Sequence, residues 1–175
     1  MNTINAKIIA DSTDHKGNRI TSMLLTFPRF ILPELNTHRM FSRNSASSRA
    51  IPFEKMVKMV QEDPFVPIAW QKKHKGMQGT KYLTHTYDIE DAIKEWEWAA
   101  AIAVTQANIL NDIGVTKQIC NRLLEPFMWH TVLITATEWD NFFKLRCPQY
   151  GNDESGFYRS VKDALKYLKQ VYFKS

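Results

Sequence analysis

Cysteine is scarce in this chain: Cys120 and Cys147 are the two in 175 residues. They make no CxxC pair and have no histidine cluster beside them, which argues against a zinc site. Long hydrophobic runs are missing too. No apolar stretch approaches the ~18 residues that cross a bilayer. The first eleven residues hold Asn, Lys and Asp where a secretory signal would be apolar. A cytoplasmic location with reduced thiols is therefore expected. The sequence contains no GxGxxG, no GxxxxGK(S/T), no HExxH and no GxSxG. It thus lacks the signatures of a dinucleotide fingerprint, a P-loop, a zincin helix and a hydrolase elbow. Internal repeats and low-complexity tracts are also absent.

What is present suffices for a packed core: 44% of residues are hydrophobic and 12% aromatic, enough for one domain or one domain with an appendage. The net charge of +5 favours anionic partners. Part of that excess lies in Lys162, Lys166, Lys169 and Lys174, which read as the solvated face of a helix.

Local patterns give a coarse map. Residues 4 to 10 and Arg19 to Phe27 read as strands around a turn at Asp14 to Asn18, hence a hairpin. Pro28 opens a helical segment over Arg29 to Arg39, with a kink or break expected at Pro33. Residues 40 to 50 read as a loop. Phe53, Met56, Val57 and Val60 have helical spacing within Pro52 to Glu62. A long helix is expected over Asp88 to Ile113, capped by Asp88 and stopped by Gly114. Its stripe of Ile89, Ile93, Trp96, Ala100, Ala103, Ala107 and Leu110 suits an ordinary core helix, or close helix packing that extends across subunits. Then follow a helix at Thr116 to Leu124, a β-branched strand at Phe127 to Thr137, a short helix at Glu138 to Leu145 and an amphipathic helix at Tyr158 to Phe173. The fold class expected is α+β, a small antiparallel sheet packed against helices. The division expected is a catalytic domain over 1–147 and a C-terminal turn and basic helix over 148–175. Cys120 reads as a buried, inert thiol on an apolar side with Val115, Ile119 and Leu123.

The densest chemistry lies in residues 37–50, T-H-R-M-F-S-R-N-S-A-S-S-R-A. Three arginines, four serines, His38 and Asn44 share fourteen residues. Guanidinium forks and short hydroxyl donors suit an anion such as phosphate. Two further arginines, Arg122 and Arg146, sit in apolar context, where a charge must be paired. Either a salt bridge to Glu125 or Glu138 or an anionic ligand would satisfy them.

These residues resemble a known family. The segment 37–50 is similar to the R-H-R-x-x-S-x-N-E-x-S-x-R-Y signature of flavin-dependent thymidylate synthases, the ThyX family. His38, Arg39, Ser42, Asn44, Ser47 and Arg49 match in register, and Thr37, Ser45 and Ala50 depart. Arg122-Leu123-Leu124-Glu125-Pro126 looks like the R-x-x-L-P element with one change. Asn141-Phe142-Phe143-Lys144-Leu145-Arg146 looks like N-F-x-x-L-R. The three occur in the family's order across residues 4–147.

The resemblance implies an enzyme that binds FAD and converts dUMP to dTMP with methylenetetrahydrofolate and NADPH, without a cysteine nucleophile. It implies a homotetramer with shared active sites. By position, it gives Ser47, Arg49, Arg122 and Arg146 to dUMP, with Arg146 and Ser47 catalytic, and His38, Arg39, Asn44 and Asn141 to FAD. Ser45 replaces a family glutamate, and Glu34 is placed to supply a carboxylate to the nucleotide instead. Arg43 has no assigned role. The A-Q-x-E-I element that follows in the family is absent after Arg146, which implies a shortened C-terminus. Two alternatives stand beside this reading. One is the same carbon transfer to a cytosine nucleotide or a DNA pyrimidine. The other is an inactive nucleotide-binding relative. Direct DNA binding is not favoured.

Overall fold

In a computed structural model, the structure describes residues 2–76 and 81–146. Cys147, the expected second segment over 148–175 and the helix expected over Tyr158 to Phe173 lie outside them. The fold is α+β. Its described elements divide into two compact units. One, the sheet unit, comprises Thr3–Phe27, Ile31–Ser45 and the chain from Thr131. The other, the helical unit, comprises Asn2, Pro28–Phe30 and Ala46–His130.

The sheet unit is built on four antiparallel strands: β1 (Asn5–Thr13), β2 (Arg19–Pro28), β3 (Ser42–Ser45) and β4 (Trp129–Ala136), in the order β1-β2-β4-β3. The β1–β2 hairpin closes where the Asp14 carboxylate accepts the backbone N–H groups of Lys16 at 2.9 Å and Asn18 at 2.8 Å. Gly17 takes φ +85 there, a conformation that favours glycine. Below the turn, the Arg19 guanidinium grips Asp11 and holds its carboxyl at about 2. The β1–β2 register shifts between Ile8 and Ala10, so Ile9 is a bulge. In β4, His130, Val132, Ile134 and Ala136 are buried and alternate with more exposed residues, the period of a strand with one face on a core. The opposite face is tied by hydroxyl pairs, Ser22 to Thr135 at 2.7 Å and Thr26 to Thr131 at 3.1 Å. Phe27, Leu35, Phe41 and Trp139 complete the core of this unit with Met23, Val132, Ile134 and Ala136.

The helical unit packs α2 (Phe53–Glu62), α3 (Thr86–Asp112) and α4 (Lys117–Leu124) around Met56, Val60, Ala107, Cys120 and Leu124. Ala100, Val104 and Ala107 are the buried positions of α3, so its small residues pack within the chain, against α2 and α4. Trp98, Ile102, Ile109 and Ile113 of α3 stay exposed instead. Among the described residues no helix is long and apolar enough to cross a membrane.

Several sequence expectations need correction. Pro33 does not kink a helix: α1 is only Leu32–Asn36, and Pro33 lies in its first turn, where its missing N–H costs nothing. Arg29–Ile31 is a separate 3-10 turn. The loop over 40 to 50 contains β3. The long helix begins at Thr86 with His85 as its N-cap, leaving Asp88 inside the first turn beside the helix dipole. Cys120 is buried as expected, but Ile119 and Leu123 are exposed. Its inward neighbours on α4 are Asn121 and Leu124.

Leu124 and Leu123 are adjacent, one fully buried and one 39% exposed. Leu124→Ala should cost about 3 kcal/mol of unfolding free energy, and Leu123→Ala less than about 1 kcal/mol. Urea denaturation of both variants checks this; equal losses would show that the helix is rotated.

Candidate functional site

The loop from Ala46 to Ile51 carries Ser47 and Arg49. A turn shapes it, with the Ala50 N–H donating to the Ser47 carbonyl at 2.9 Å. The Ser47 hydroxyl accepts the Arg49 N–H at 3.3 Å. Both side chains are exposed. The loop is anchored from below by α4 and the 3-10 turn Glu125–Phe127 that follows it. Asn121, wholly buried, donates its Nδ2 to the carbonyls of Ser48 at 2.8 Å and Ile51 at 3.0 Å. Its Oδ1 has no hydrogen-bond partner among the described residues. Ser48 is buried, and its hydroxyl donates to the Glu125 carboxylate, a charge-assisted bond of the stronger kind. Arg122 follows Asn121 on the exposed side of α4 and makes no ion pair among the described residues. Thus Ser47, Arg49 and Arg122 each sit one residue from a buried group of the same small network: Ser48 for the first two, Asn121 for the third.

Glu125 is committed elsewhere than expected. Its partner is Arg29 at 3.6 Å, not Arg122. Amphipathic α4 turns Arg122 outward, so that arginine needs no buried counter-charge. Arg29, mostly buried, also donates from Nη1 to the Ala46 carbonyl at 3.4 Å and meets Nδ1 of His130 at 2.9 Å. A guanidinium only donates, so Nδ1 must accept and the neutral ring carries its proton on Nε2. Burial pushes the His130 imidazole down to about 4; the Arg29 charge adds to this and Glu125 opposes it.

Sequence reading missed Arg29, Asn121 and His130. A signal existed for each. Arg29 interrupts an apolar run, Asn121 lies three residues before Leu124 on the inward side of α4, and His130 alternates with Val132 and Ile134.

The sheet unit holds the other sequence-predicted residues. Arg43 acquires a role: its Nη1 donates to the carbonyls of Leu35, Asn36 and His38, at 3.4, 3.3 and 2.9 Å. Leu35 and Asn36 end α1 and His38 lies just past it, so Arg43 ties down the helix end and the turn that follows and is not a free anion ligand. The half-buried His38 ring stacks on Phe41 at 5.8 Å and meets the edge of Phe142 at 4.9 Å. Arg39, Asn44 and Asn141 are exposed, with no side-chain hydrogen bond among the described residues. Asn44 pairs opposite Leu133 on the edge strand β3, so it lies on the sheet face away from Val132 and Ile134. Glu34 is exposed on α1, and Arg146 is the last residue of α5 (Asp140–Arg146). The acceptor-rich edge of a flavin nucleotide fits uncommitted amide and guanidinium donors such as Arg39, Asn44 and Asn141.

Comparison with solved structures gives a clear fold relation. The chain is similar to a UMP/dUMP methylase, PolB from Streptomyces cacaoi, bound with 5-Br UMP, with a TM-score of 0.66 and 17% identity over 98% of this chain and 90% of that one. It is similar to the same methylase bound with 5-Br dUMP, with a TM-score of 0.62 and 18% identity over 87% of this chain and 64% of that one. At these identities the likeness is one of fold. No family model matches the chain, and no curated protein sequence is significantly similar to it.

The His130 environment has a pH consequence. Its folded pKa is below the ordinary 6.5, so the unfolded chain takes up a proton first as pH falls. The stability associated with the neutral ring is complete above 6.5 and is lost progressively towards about 4. At about 1.4 kcal/mol per pH unit that interval is worth roughly 3 kcal/mol. His130→Gln, which keeps an acceptor for Arg29, should flatten this part of the stability–pH curve. An unchanged slope in denaturant titrations, or an NMR titration of His130 near 6.5, would contradict the assignment.

Proposed function

We propose that this chain is a flavin-dependent thymidylate synthase that methylates dUMP to dTMP with methylenetetrahydrofolate and NADPH, as the ThyX resemblance implies. The observation that carries the reading is the braced loop. The residues matching the family's nucleotide positions in the helical unit, Ser47, Arg49 and Arg122, are exposed beside a buried network, and neither arginine side chain makes a hydrogen bond or ion pair among the described residues. The likeness in fold to a UMP/dUMP methylase supports the same substrate class.

In this reading Arg49 and Arg122 hold the nucleotide's dianionic phosphate through charge-assisted bonds, with Ser47 adding a short donor. Arg146 stabilises negative charge on the pyrimidine as N3 ionises or an enolate develops at the ring. His38, Arg39, Asn44 and Asn141 would hold FAD, and Glu34 would accept from the nucleotide. Bound flavin supplies the reducing electrons, which it draws from NADPH. Overall, the methylene carbon of the folate would bond to C5 of the uracil as its two C–N bonds to the folate break, a hydride equivalent would complete the methyl group, and the C5 proton together with one from solution would protonate the two folate nitrogens. Tetrahydrofolate and NADP are the other products.

Asn44 lies on the sheet face away from the core onto which His38 packs. They meet one ligand around the open β3 edge or from two copies of the chain. The second arrangement agrees with the shared active sites of a homotetramer, and the exposed Trp98, Ile102, Ile109 and Ile113 face of α3 gives such an assembly an apolar surface to cover. Light scattering should find four chains per particle, and a 20.4 kDa particle would exclude the assembly.

The test of function is tritium release from C5-labelled dUMP, UMP and dCMP with NADPH and methylenetetrahydrofolate supplied. Release from dUMP is expected. Release from dCMP alone would move the reading to a cytosine acceptor. No release from any of them, by protein without flavin absorbance, would favour an inactive nucleotide-binding relative. Arg146→Ala should abolish turnover while leaving the protein yellow; loss of flavin with retained turnover would overturn the roles given to these residues.

A further inference from the structure

We propose that Ser48, Glu125 and Asn121 are positioning residues for nucleotide binding, which set the conformation of the 46–51 loop without touching the ligand. The proposal rests on the dUMP reading above for what the loop holds, and on geometry alone for how it is held.

Three attachments fix the loop, and each reaches a different part of it. Arg29 donates to the carbonyl of Ala46, Asn121 to those of Ser48 and Ile51, and the Ser48 hydroxyl to Glu125. Every attachment uses a backbone carbonyl or the inward side chain of Ser48. None uses the Ser47 or Arg49 side chain, which leaves both exposed. The alternation is the important feature: Ser48 points into the protein and is buried, while its neighbours on either side point out. Holding residue 48 therefore fixes the directions of 47 and 49. The carbonyls of Ser48 and Ile51 are satisfied by a side chain, so losing that side chain would leave buried acceptors without partners. Asn121 also belongs to the helix that bears Arg122. The same amide thus sets the register between a cation on the loop and a cation on the helix, the two groups that must meet one phosphate together.

A mainly structural residue would lower stability without changing affinity in the folded protein. A positioning residue lowers affinity and frees the loop locally. Three variants of the full chain separate the two, read by dUMP calorimetry, amide hydrogen exchange and flavin content. Ser48→Ala removes the inward hydroxyl. It should weaken dUMP binding about ten-fold and speed exchange at residues 47–51, with flavin content unchanged. Glu125→Gln keeps an acceptor for Ser48 while removing the charge beside Arg29. It should weaken dUMP binding less than Ser48→Ala does, since the hydroxyl bond persists without its charge; a loss as large as that of Ser48→Ala would show that the Ser48 bond to this side chain does not set the loop. Asn121→Asp loses both donors and should weaken binding at least as much as Ser48→Ala; because it risks misfolding, the decision rests on the other two. Parent-like dUMP affinity in Ser48→Ala would overturn the proposal, as would exchange at 47–51 that does not change. If the parent chain itself binds no dUMP, the functional reading fails, and the exchange comparison alone decides whether the brace exists.

Discussion

The amide of Asn121 donates to the carbonyls of Ser48 and Ile51 from a position with no exposure at all, and the seating of the 46–51 loop on α4 depends on it. An amide there can be buried only because its two donors are satisfied; an apolar residue of the same size would strand two carbonyls instead. The bonds fasten a loop with no helical or strand structure of its own to a helix that sits on the core through Cys120 and Leu124. A rigid base beneath an irregular loop is a general way to present polar side chains at fixed positions. Here the base is an amphipathic helix of eight residues.

The parts of the fold that were legible from sequence are those in which one periodicity or one residue class dominates. The β-branched and aromatic residues of Phe127 to Thr137 announce β4 by composition, and Phe53, Met56, Val57 and Val60 announce α2 by helical spacing. The β3 strand was illegible because Ser42, Arg43, Asn44 and Ser45 have no pattern and weak strand preference. Pairing with β4 imposes the conformation from outside. Pro33 misled for a related reason. Its effect depends on where the helix starts, and a 3-10 turn moved that start to Leu32.

The candidate site was legible in its residue types more than in their division of labour. Counting guanidiniums in 37–50 treats Arg39, Arg43 and Arg49 alike, yet Arg43 donates to carbonyls at and just past the end of α1 while the side chains of the other two make no hydrogen bond among the described residues. Ser48 and Ser47 differ in the same way. Sequence adjacency gives no hint of which side faces in, because the partners of the inward side are Glu125 and Asn121, both more than seventy residues away. Glu125 was one of two carboxylates offered to Arg122 and Arg146, beside an anionic ligand, whereas the fold pairs it with Arg29. Long-range pairing of this kind has no periodic signature.

Arg29 links the acid–base chemistry of this region to its architecture. It faces a carboxylate on one side and a neutral imidazole on the other. Were His130 to carry a proton, two cations would lie within hydrogen-bond distance in a buried place, and the Arg29 bond to Nδ1 would lose its acceptor. Glu125 compensates one positive charge but cannot compensate two while also accepting from Ser48. A neutral His130 thus lets Arg29 face it while donating to Ala46, and leaves Glu125 to accept from Ser48. The charge state of a residue that nucleotide recognition does not use thereby constrains the loop on which that recognition would depend.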